Sequence, residues 1–177
     1  NRPADDKSQI MYLWRNEPSI IIGRFQSAWK ECRVEKMAEE GGHLVRRASG
    51  GGAVYQDLGN SIFSFIAPKE NYKVQENNAI IMNALRHFAV EAEATGRDDI
   101  VVNGLKISGA AFRHAKNHSL HHGTLLLDVD LAALGNYLTP HRLKLLSKGI
   151  ASVAARVMNL KQLVPSITHQ DICAALV

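Results

Sequence analysis

The hydrophobic pattern in the first two thirds of the chain predicts short strands separated by turns. Apolar runs at 10–14 and 19–22 flank the turn sequence NEP, and further runs occupy 43–47, 53–55, 61–67 and 120–129. Within 61–67 the residues of both alternating sets are largely apolar or small. This pattern is typical of a strand that is buried on both faces.

Helical spacing of apolar residues occurs in two other parts of the sequence. Positions 80, 81, 84, 85 and 88 form one stripe and predict a helix over 75–89, while a second helix is predicted over 30–40, ended by the glycines at 41 and 42. After position 131 the spacing is helical again. It predicts helices at 131–137, 140–146, 159–163 and 168–176.

The strongest hairpin signal is Asn103-Gly104 between the strand-like segments 98–102 and 105–111. This dipeptide favours the type I′ turn, whose twist matches that of the flanking strands. The turn makes Lys106 an early residue of the returning strand, where sheet pairing fixes its backbone. Strands joined by short turns, together with helices, predict an α+β fold with a mostly antiparallel sheet packed with helices.

Composition limits the classes of protein that this sequence fits. The chain has 177 residues, 46% apolar and 21% charged, so it is long enough for a proper core. No apolar run approaches the roughly 18–20 residues of a membrane span, and no secretory signal is visible. Two distant cysteines favour a cytoplasmic location. The net charge of +4 favours an anionic substrate or acidic partner, and its dispersion argues against nucleic acid.

Three consecutive glycines at 50–52 follow the basic pair Arg46-Arg47. A backbone without Cβ atoms permits close approach of a ligand and directs N–H groups at an anion, and guanidinium groups bind phosphate or carboxylate. Lys106 would add a mobile positive charge to the same pocket. The sequence alone also permits a flexible turn here, because the glycines fit neither the P-loop nor the dinucleotide motif.

Other reactive residues have simpler interpretations. Adjacent strand residues point to opposite faces, so His121 and His122 are not expected to share a zinc ion with His118, and structural or surface roles are favoured. Packing is the favoured role for Cys32 and Cys173. For the pair Asp128 and Asp130, capping of the helix at 131 is favoured over cation binding.

Four segments in order resemble the lipoate-protein ligase A family: WKEC at 29–32, RRASGGGAVYQDLGN at 46–60, KISGAA at 106–111 and HHGTLLL at 121–127. The similarity covers nearly the whole chain. It implies the catalytic-domain fold of lipoate and biotin protein ligases over residues 1–177. Gln56 and Ala48 depart from the common pattern, where many relatives carry histidine and a hydroxyl residue.

The resemblance also implies the roles of individual residues. Lys106 would be the catalytic lysine and would contact both the lipoate carboxyl group and the α-phosphate. Asp99 would suit Mg²⁺, with Asp98 as the neighbouring alternative. The implied nucleotide-binding residues are Arg47, Gly52, Ala53, Val54, Tyr55 and Lys106, and the implied lipoate-binding residues are Ser49, Gly51, Lys106 and Arg113.

The implied activity is ATP-dependent. Lipoate and MgATP give lipoyl-AMP, and the lipoyl group then passes to a lysine of the lipoyl domains of 2-oxoacid dehydrogenase E2 subunits or of the glycine cleavage H protein. Two alternatives stay open: a lipoyl or octanoyl transferase that uses a preformed donor, and a non-catalytic binding protein. Apolar residues that would line the lipoyl groove, or equally form core, are Ile22, Val45, Val54, Phe63 and Phe65. The family pattern further predicts a preceding strand and helix and a C-terminal accessory domain.

Overall fold

A computed structural model describes residues 8–96, 98–138 and 157–177. The strands are β1 (Ile10–Trp14), β2 (Ser19–Ile22), β3 (His43–Arg46), β4 (Val54–Gln56), β5 (Asn60–Pro68), β6 (Glu93–Thr95), β7 (Asp99–Val102), β8 (Leu105–His114) and β9 (His118–Leu126). The α-helices are α1 (Ala28–Glu31), α2 (Val34–Glu39), α3 (Val74–Arg86), α4 (Leu131–Tyr137) and α5 (His169–Ala175). Single 3₁₀ turns occupy Lys69–Asn71 and Leu160–Gln162.

The strands form two sheets. A six-stranded sheet has the order β1-β5-β9-β8-β7-β6, and every neighbouring pair in it is antiparallel. A three-stranded sheet has the order β3-β2-β4, in which β2 is parallel to β3 and antiparallel to β4. The predicted α+β class with a mostly antiparallel sheet is therefore confirmed.

The large sheet has two faces of different character. On the helix face, Phe63 and Phe65 of β5 pack in one cluster with Ile81 and Leu85 of α3. The opposite face is here called the site face, and it carries the even-numbered residues of β5 and β9, such as His122. A second cluster joins Leu126 of β9 to residues of the small sheet and of α4. The small sheet therefore belongs to the site-face side of the molecule.

Most predicted elements are confirmed with small changes at their ends, but the predicted helix over 30–40 is wrong. The chain instead forms α1 and α2, and between them Cys32 is extended, with φ −141° and ψ 151°. Cys32 makes a β-bridge with Leu138, and the N–H of Arg33 donates to the carbonyl of Tyr137 at 2.9 Å. These tertiary bonds replace the intrahelical ones, so packing overrides the local helical propensity.

The C-terminal part differs from prediction in one further detail. The segment predicted at 159–163 is a 3₁₀ turn, and the predicted helix at 140–146 lies outside the described residues. Strand β6, at the edge of the large sheet, was not predicted. No helix in the described parts of the chain is long and apolar enough to cross a bilayer.

The predicted hairpin is confirmed and contains a bulge. Asn103 and Gly104 have φ of 52° and 76°, as a type I′ turn requires. The pairing of β7 with β8 then slips: Val101 pairs with Lys106, whereas Ile100 pairs with Ser108, which leaves Ile107 as an extra residue. Such a bulge changes the face to which the following side chains point.

Candidate functional site

The loop that joins β3 to β4, residues 47–53, contains the three glycines and packs closely on the turn after β2. A Cβ atom added to Gly23 would lie 2.1 Å from the carbonyl oxygen of Gly51. Gly51 has φ of 91°, a conformation that favours glycine. The N–H of Arg24 also donates to the carbonyl of Ser49 at 2.9 Å. The glycine loop is therefore a fixed structure and not a flexible turn.

Arg47 holds this loop from within. Its Nε and Nη2 donate to the carbonyl of Gly50 at 3.1 and 2.7 Å, Nη2 also donates to Gly52 at 2.7 Å, and Nη1 donates to Ile21 at 3.0 Å. Four of the five guanidinium hydrogens thus bond to main-chain carbonyls. Burial lowers the pKa of Arg47. Arg47, which the sequence predicts to bind the nucleotide, therefore holds the glycines of the loop in position.

Ser49 connects the glycine loop to the large sheet. Its side chain is buried, and its Oγ lies 2.6 Å from Nε2 of His122. Burial, and then the nearby charge of Arg47, lower the pKa of His122 to about 4. The imidazole is therefore neutral at physiological pH and forms one hydrogen bond with the serine. This contact fixes the loop above β9 without adding charge to the site.

Lys106 lies on the site face because of the bulge. Its Nζ is 2.6 Å from Oδ1 of Asp99, and both side chains are partly exposed. A Cβ atom added to Gly109 would lie 2.7 Å from this Nζ. Gly109 pairs with Asp99, so both belong to the same face. Lys106 and Gly109 are three positions apart, so strict alternation without the bulge would direct Lys106 to the helix face.

The glycine loop and Lys106 share this face. A Cβ atom on Gly51 would be 4.0 Å from Cβ of Ala111, and Ala111 pairs with His122. Ala111 lies two residues from Gly109 along β8, a separation of about 7 Å. Main-chain amides, Arg47 and an ammonium group therefore surround one surface of small side chains. Such a surface suits an anion that lies against the strand.

The remaining predicted nucleotide residues follow the loop into β4. Gly52 is exposed and Ala53 is half-buried, whereas the side chain of Val54 is 36% exposed. The ring of Tyr55 is buried in the second cluster, with its centroid 5.5 Å from that of Tyr137. Burial raises the pKa of Tyr55 to about 12. Tyr55 therefore presents main-chain atoms to this side of the molecule, while its ring anchors β4.

Arg113 lies on the same strand face as Gly109 and Ala111, and it is exposed at the far end from Lys106. Among the described residues, no group of three or more His, Cys, Asp or Glu side chains could hold a metal ion by itself. The carboxylate of Asp99 does fit a site of another kind. Mg²⁺ commonly takes one or two carboxylates together with substrate phosphates and water.

Three of the residues considered for the lipoyl groove are core residues. Phe63 and Phe65 are buried on the helix face, on the other side of the sheet from Lys106, and Ile22 is buried in the second cluster. Val45 and Val54 stay exposed, at 46% and 36%. An alternating strand with apolar residues on both faces gives no sign of which face meets the helices, so sequence alone did not separate core from groove.

The structure also separates the histidines and cysteines into residues of the core and residues near the site face. His121 and His122 point to opposite faces, as predicted, because His121 contacts Asn77 of α3 while His122 contacts Ser49. Cys32 is buried, and burial raises its pKa to about 11, which favours packing over nucleophilic chemistry. Asp130 caps α4 through the N–H groups of Ala132 and Ala133, as predicted.

Sequence reasoning missed the place of His122 in the site and the reason for Gly109. A signal for Gly109 was present in the small residues after Lys106, because a lysine that folds back along its own strand needs a neighbour without a side chain. His122 had no such signal, since its partner Ser49 is 73 positions away in the sequence.

Comparison with known proteins shows that the chain is similar to lipoyl ligases in sequence and fold. The family model described as the lipoyl protein ligase A/B catalytic domain matches residues 1–177. The structure of P. falciparum LipL1 in complex with lipoate is 42% identical, with a TM-score of 0.85, over 99% of this chain and 50% of that one. The bipartite lipoate protein ligase of Thermoplasma acidophilum, studied with its E2 lipoyl domain, is 30% identical, with a TM-score of 0.85, over 97% and 69%.

A third structure, lipoate-protein ligase A bound with ATP, is 29% identical, with a TM-score of 0.81, over 97% of this chain and 71% of that one. The chain therefore belongs to the lipoyl protein ligase A/B catalytic-domain family and has its fold. It spans about half the length of LipL1.

Proposed function

We propose that this chain is the catalytic part of an ATP-dependent lipoate-protein ligase. The observation that carries the proposal is the convergence of the glycine loop, Arg47 and Lys106 on one face of the sheet. Support comes from relatives solved with lipoate and with ATP. A binding protein without catalysis would not require a lysine that a bulge turns towards the same surface as the glycine amides.

In the first step the lipoate carboxylate attacks the α-phosphorus of ATP, the P–O bond to pyrophosphate breaks, and lipoyl-AMP forms. Negative charge accumulates around phosphorus in the transition state. Lys106 and the N–H groups of the glycine loop would stabilise that charge, which preorganised donors do most effectively in a site that excludes water. Arg47 would act mainly by holding the loop carbonyls away, so that the N–H groups face the ligand.

Lys106 is paired with Asp99 before any anion arrives, at 2.6 Å. A phosphate or carboxylate would compete for the ammonium group, which has three donors and a flexible stem. Asp99 would then be available to a magnesium ion that arrives with ATP. Mg²⁺ would neutralise part of the charge of the phosphates. Ser49, Gly51 and Arg113, distributed along the same face, would position the lipoate.

In the second step the amine of an acceptor lysine attacks the carbonyl carbon of lipoyl-AMP, an amide forms, and AMP leaves. The acyl-adenylate is already activated, so the reaction needs no protein nucleophile. We propose lipoyl domains of 2-oxoacid dehydrogenase E2 subunits and the glycine cleavage H protein as acceptors. A relative studied with its E2 lipoyl domain supports the first of these.

The decisive experiment measures pyrophosphate release and lipoyl-AMP formation from lipoate and MgATP. Lys106→Ala is expected to lower the rate roughly 10²–10³-fold, the usual loss when one charge-stabilising donor is removed. Lys161→Ala is the matched control, because Lys161 makes a similar exposed ion pair with Asp128, at 2.7 Å. The control should keep the full rate.

Two results would overturn parts of this proposal. An unchanged adenylation rate in Lys106→Ala would remove the role of the lysine. Absence of pyrophosphate release from wild type, together with transfer from supplied lipoyl-AMP to a lipoyl domain, would show a transferase that uses a preformed donor.

A further inference from the structure

Cys173 and His169 form a pair on α5, outside the candidate site described above. They are one helical turn apart on the same side of this helix, and Sγ of Cys173 lies 3.4 Å from Nε2 of His169. The other ring nitrogen, Nδ1, lies 2.9 Å from Oγ of Ser61 on β5. A thiol thus contacts an imidazole that a third side chain orients, which is the arrangement of a nucleophile activated by a neighbouring base.

The cluster of Ser61, His169 and Cys173, here called the thiol cluster, lies on the helix face of the large sheet. Ser61 is buried and is two residues from Phe63, so both belong to the same face of β5. Ile172 of α5 is fully buried in the core cluster of that face. The sheet therefore separates the thiol cluster from the proposed site of adenylation, which lies on the opposite face.

The start of α5 holds His169 in place. The N–H of Asp171 donates to Oγ1 of Thr168 at 3.2 Å, and the N–H of Thr168 donates to Oδ2 of Asp171 at 2.9 Å, which completes a capping box. His169 is the first helical residue after this cap. The distance between its ring and the thiol is therefore set by the helix, while the contact with Ser61 sets the orientation of the ring.

The ring of His169 is suited to accept a proton from the thiol. Burial, and then the nearby charge of Arg15, lower the pKa of His169, so the ring is neutral at physiological pH. If Nδ1 donates to Ser61, Nε2 accepts the thiol proton, whereas if Ser61 donates to Nδ1, the N–H of Nε2 stabilises the thiolate. Both tautomers therefore favour a nucleophilic sulfur.

The second cysteine has the opposite environment. Cys32 is 4% exposed, and burial raises its pKa to about 11, whereas Cys173 is half-buried. Within the described ranges, no third His, Cys, Asp or Glu side chain completes a metal site with the pair on α5. The surroundings of Cys173 are thus those of a reactive thiol, and those of Cys32 are those of a packing residue.

We propose that Cys173 is a modification site that forms a mixed disulfide with small disulfides, with His169 as the base. Sγ attacks one sulfur of the small disulfide while its proton passes to Nε2, and the bond between the two sulfurs of the reagent breaks. The departing thiolate takes the proton from the imidazolium, which restores the neutral ring. The products are a mixed disulfide on Cys173 and one small thiol, so no further oxidant is needed. This inference is independent of the ligase activity.

The test follows the reaction of the folded chain at pH 7 with dithiobis-nitrobenzoate, a disulfide that releases a coloured thiol. Cys173→Ser should remove the rapid phase of the reaction, and Cys32→Ser is the matched control that should keep it. An ordinary cysteine is only a few per cent ionised at this pH, so activation by the histidine should raise the rate roughly tenfold above that of a cysteine-containing peptide. Rapid reaction at Cys32, or a rate at Cys173 no higher than that of the peptide, would overturn the inference.

His169→Ala distinguishes a base from a side chain that merely covers the thiol. The smaller residue opens a path to Cys173, so a purely steric role predicts faster reaction, whereas loss of the base predicts a rate about tenfold lower. If the alanine variant does not fold, His169→Gln keeps a side chain of similar size, and the same loss is expected. An equal or higher rate in the folded variant contradicts the proposal. So does a difference from wild type that persists in denaturant, where the two residues are no longer held together.

Glutathione disulfide is the second probe, because it is a small disulfide without an aromatic ring. Mass spectrometry of the intact chain and of its peptides should locate a glutathione adduct on Cys173, and a reductant should remove it. A reaction restricted to the aromatic probe, or an adduct on Cys32 in place of Cys173, would show that the proposed site is wrong.

Discussion

Two adjacent histidines on β9 show how differently the two faces of the large sheet use the same residue. His121 is fully buried against Phe63, Phe65 and Phe112, and its Nδ1 lies 3.3 Å from the amide of Asn77. His122 turns to the other face and meets Ser49 under the glycine loop. Burial lowers the pKa of both histidines to about 4.

The two histidines differ in the part of the molecule that each neutral ring contacts. His121 connects the helix face to α3, so its removal is expected to lower the free energy of unfolding. His122 holds the glycine loop, whose amides we propose bind the ligand, so its removal is expected to lower the rate of catalysis. Equal pKa values thus give no information about function here, and the contacts on each face decide it. A perturbed histidine identifies a functional site only when its partner belongs to that site.

The largest expected effect is on acid stability. Because the folded pKa of His121 is about 4 and the ordinary value is 6.5, the unfolded chain binds more protons between these limits. Its contribution is complete above pH 6.5, is lost as the pH falls to about 4, and amounts to about 3 kcal/mol. Denaturant titrations of wild type and His121→Leu measure it, and the variant should show a flatter pH profile over this range.

A control from the site face sharpens this result. His122→Gln keeps a hydrogen-bonding side chain beside Ser49 and leaves His121 in place. Because the pKa of His122 is also lowered to about 4, this variant should lose a similar share of the acid dependence, whereas the rate of lipoyl-AMP formation should fall more than in His121→Leu. Equal rates of lipoyl-AMP formation in the two variants would show that the assignment of the two histidines to separate roles is wrong.

The next largest effect concerns the glycine loop. Gly51→Ala places a Cβ atom 2.8 Å from Nη2 of Arg47 at a residue with φ of 91°. The loop must move, and misplacement of a binding group by about 1 Å can cost on the order of 10²-fold in rate. Gly50→Ala is the control, since an added Cβ there meets nothing within 4 Å. Steady-state adenylation rates should separate the two variants, and equal rates would show that the loop geometry is not limiting.

The smallest effect is expected from Gly109→Ala. The added methyl group would lie 2.7 Å from Nζ and 2.8 Å from Cε of Lys106, the far end of a flexible side chain that can move away. Stability should change little, while the rate of adenylation falls roughly tenfold, a loss of about 1.4 kcal/mol in transition-state stabilisation. A fall in melting temperature without loss of rate would instead assign Gly109 to packing.

The sequence predicted those features that depend on local patterns. Alternation placed most strands, Asn103-Gly104 placed the hairpin, and Asp130 was identified as a helix cap. The break at Cys32 was missed because its cause is a bridge to Leu138, more than a hundred positions away. For the same reason, the Ser49–His122 contact and the buried state of Phe63 and Phe65 required the fold.

The bulge at Ile107 links the orientation of Lys106 to the number of residues between Lys106 and Gly109. Deleting this one residue would remove the bulge and leave Lys106 two positions from Gly109, so the ammonium group would stay on the site face. A homologue that keeps both intervening residues in a regular strand, without the bulge, would instead direct its lysine into the hydrophobic cluster beneath α3. The number of residues between the lysine and Gly109, taken together with the bulge, is therefore a better criterion for an active relative than the presence of the lysine alone.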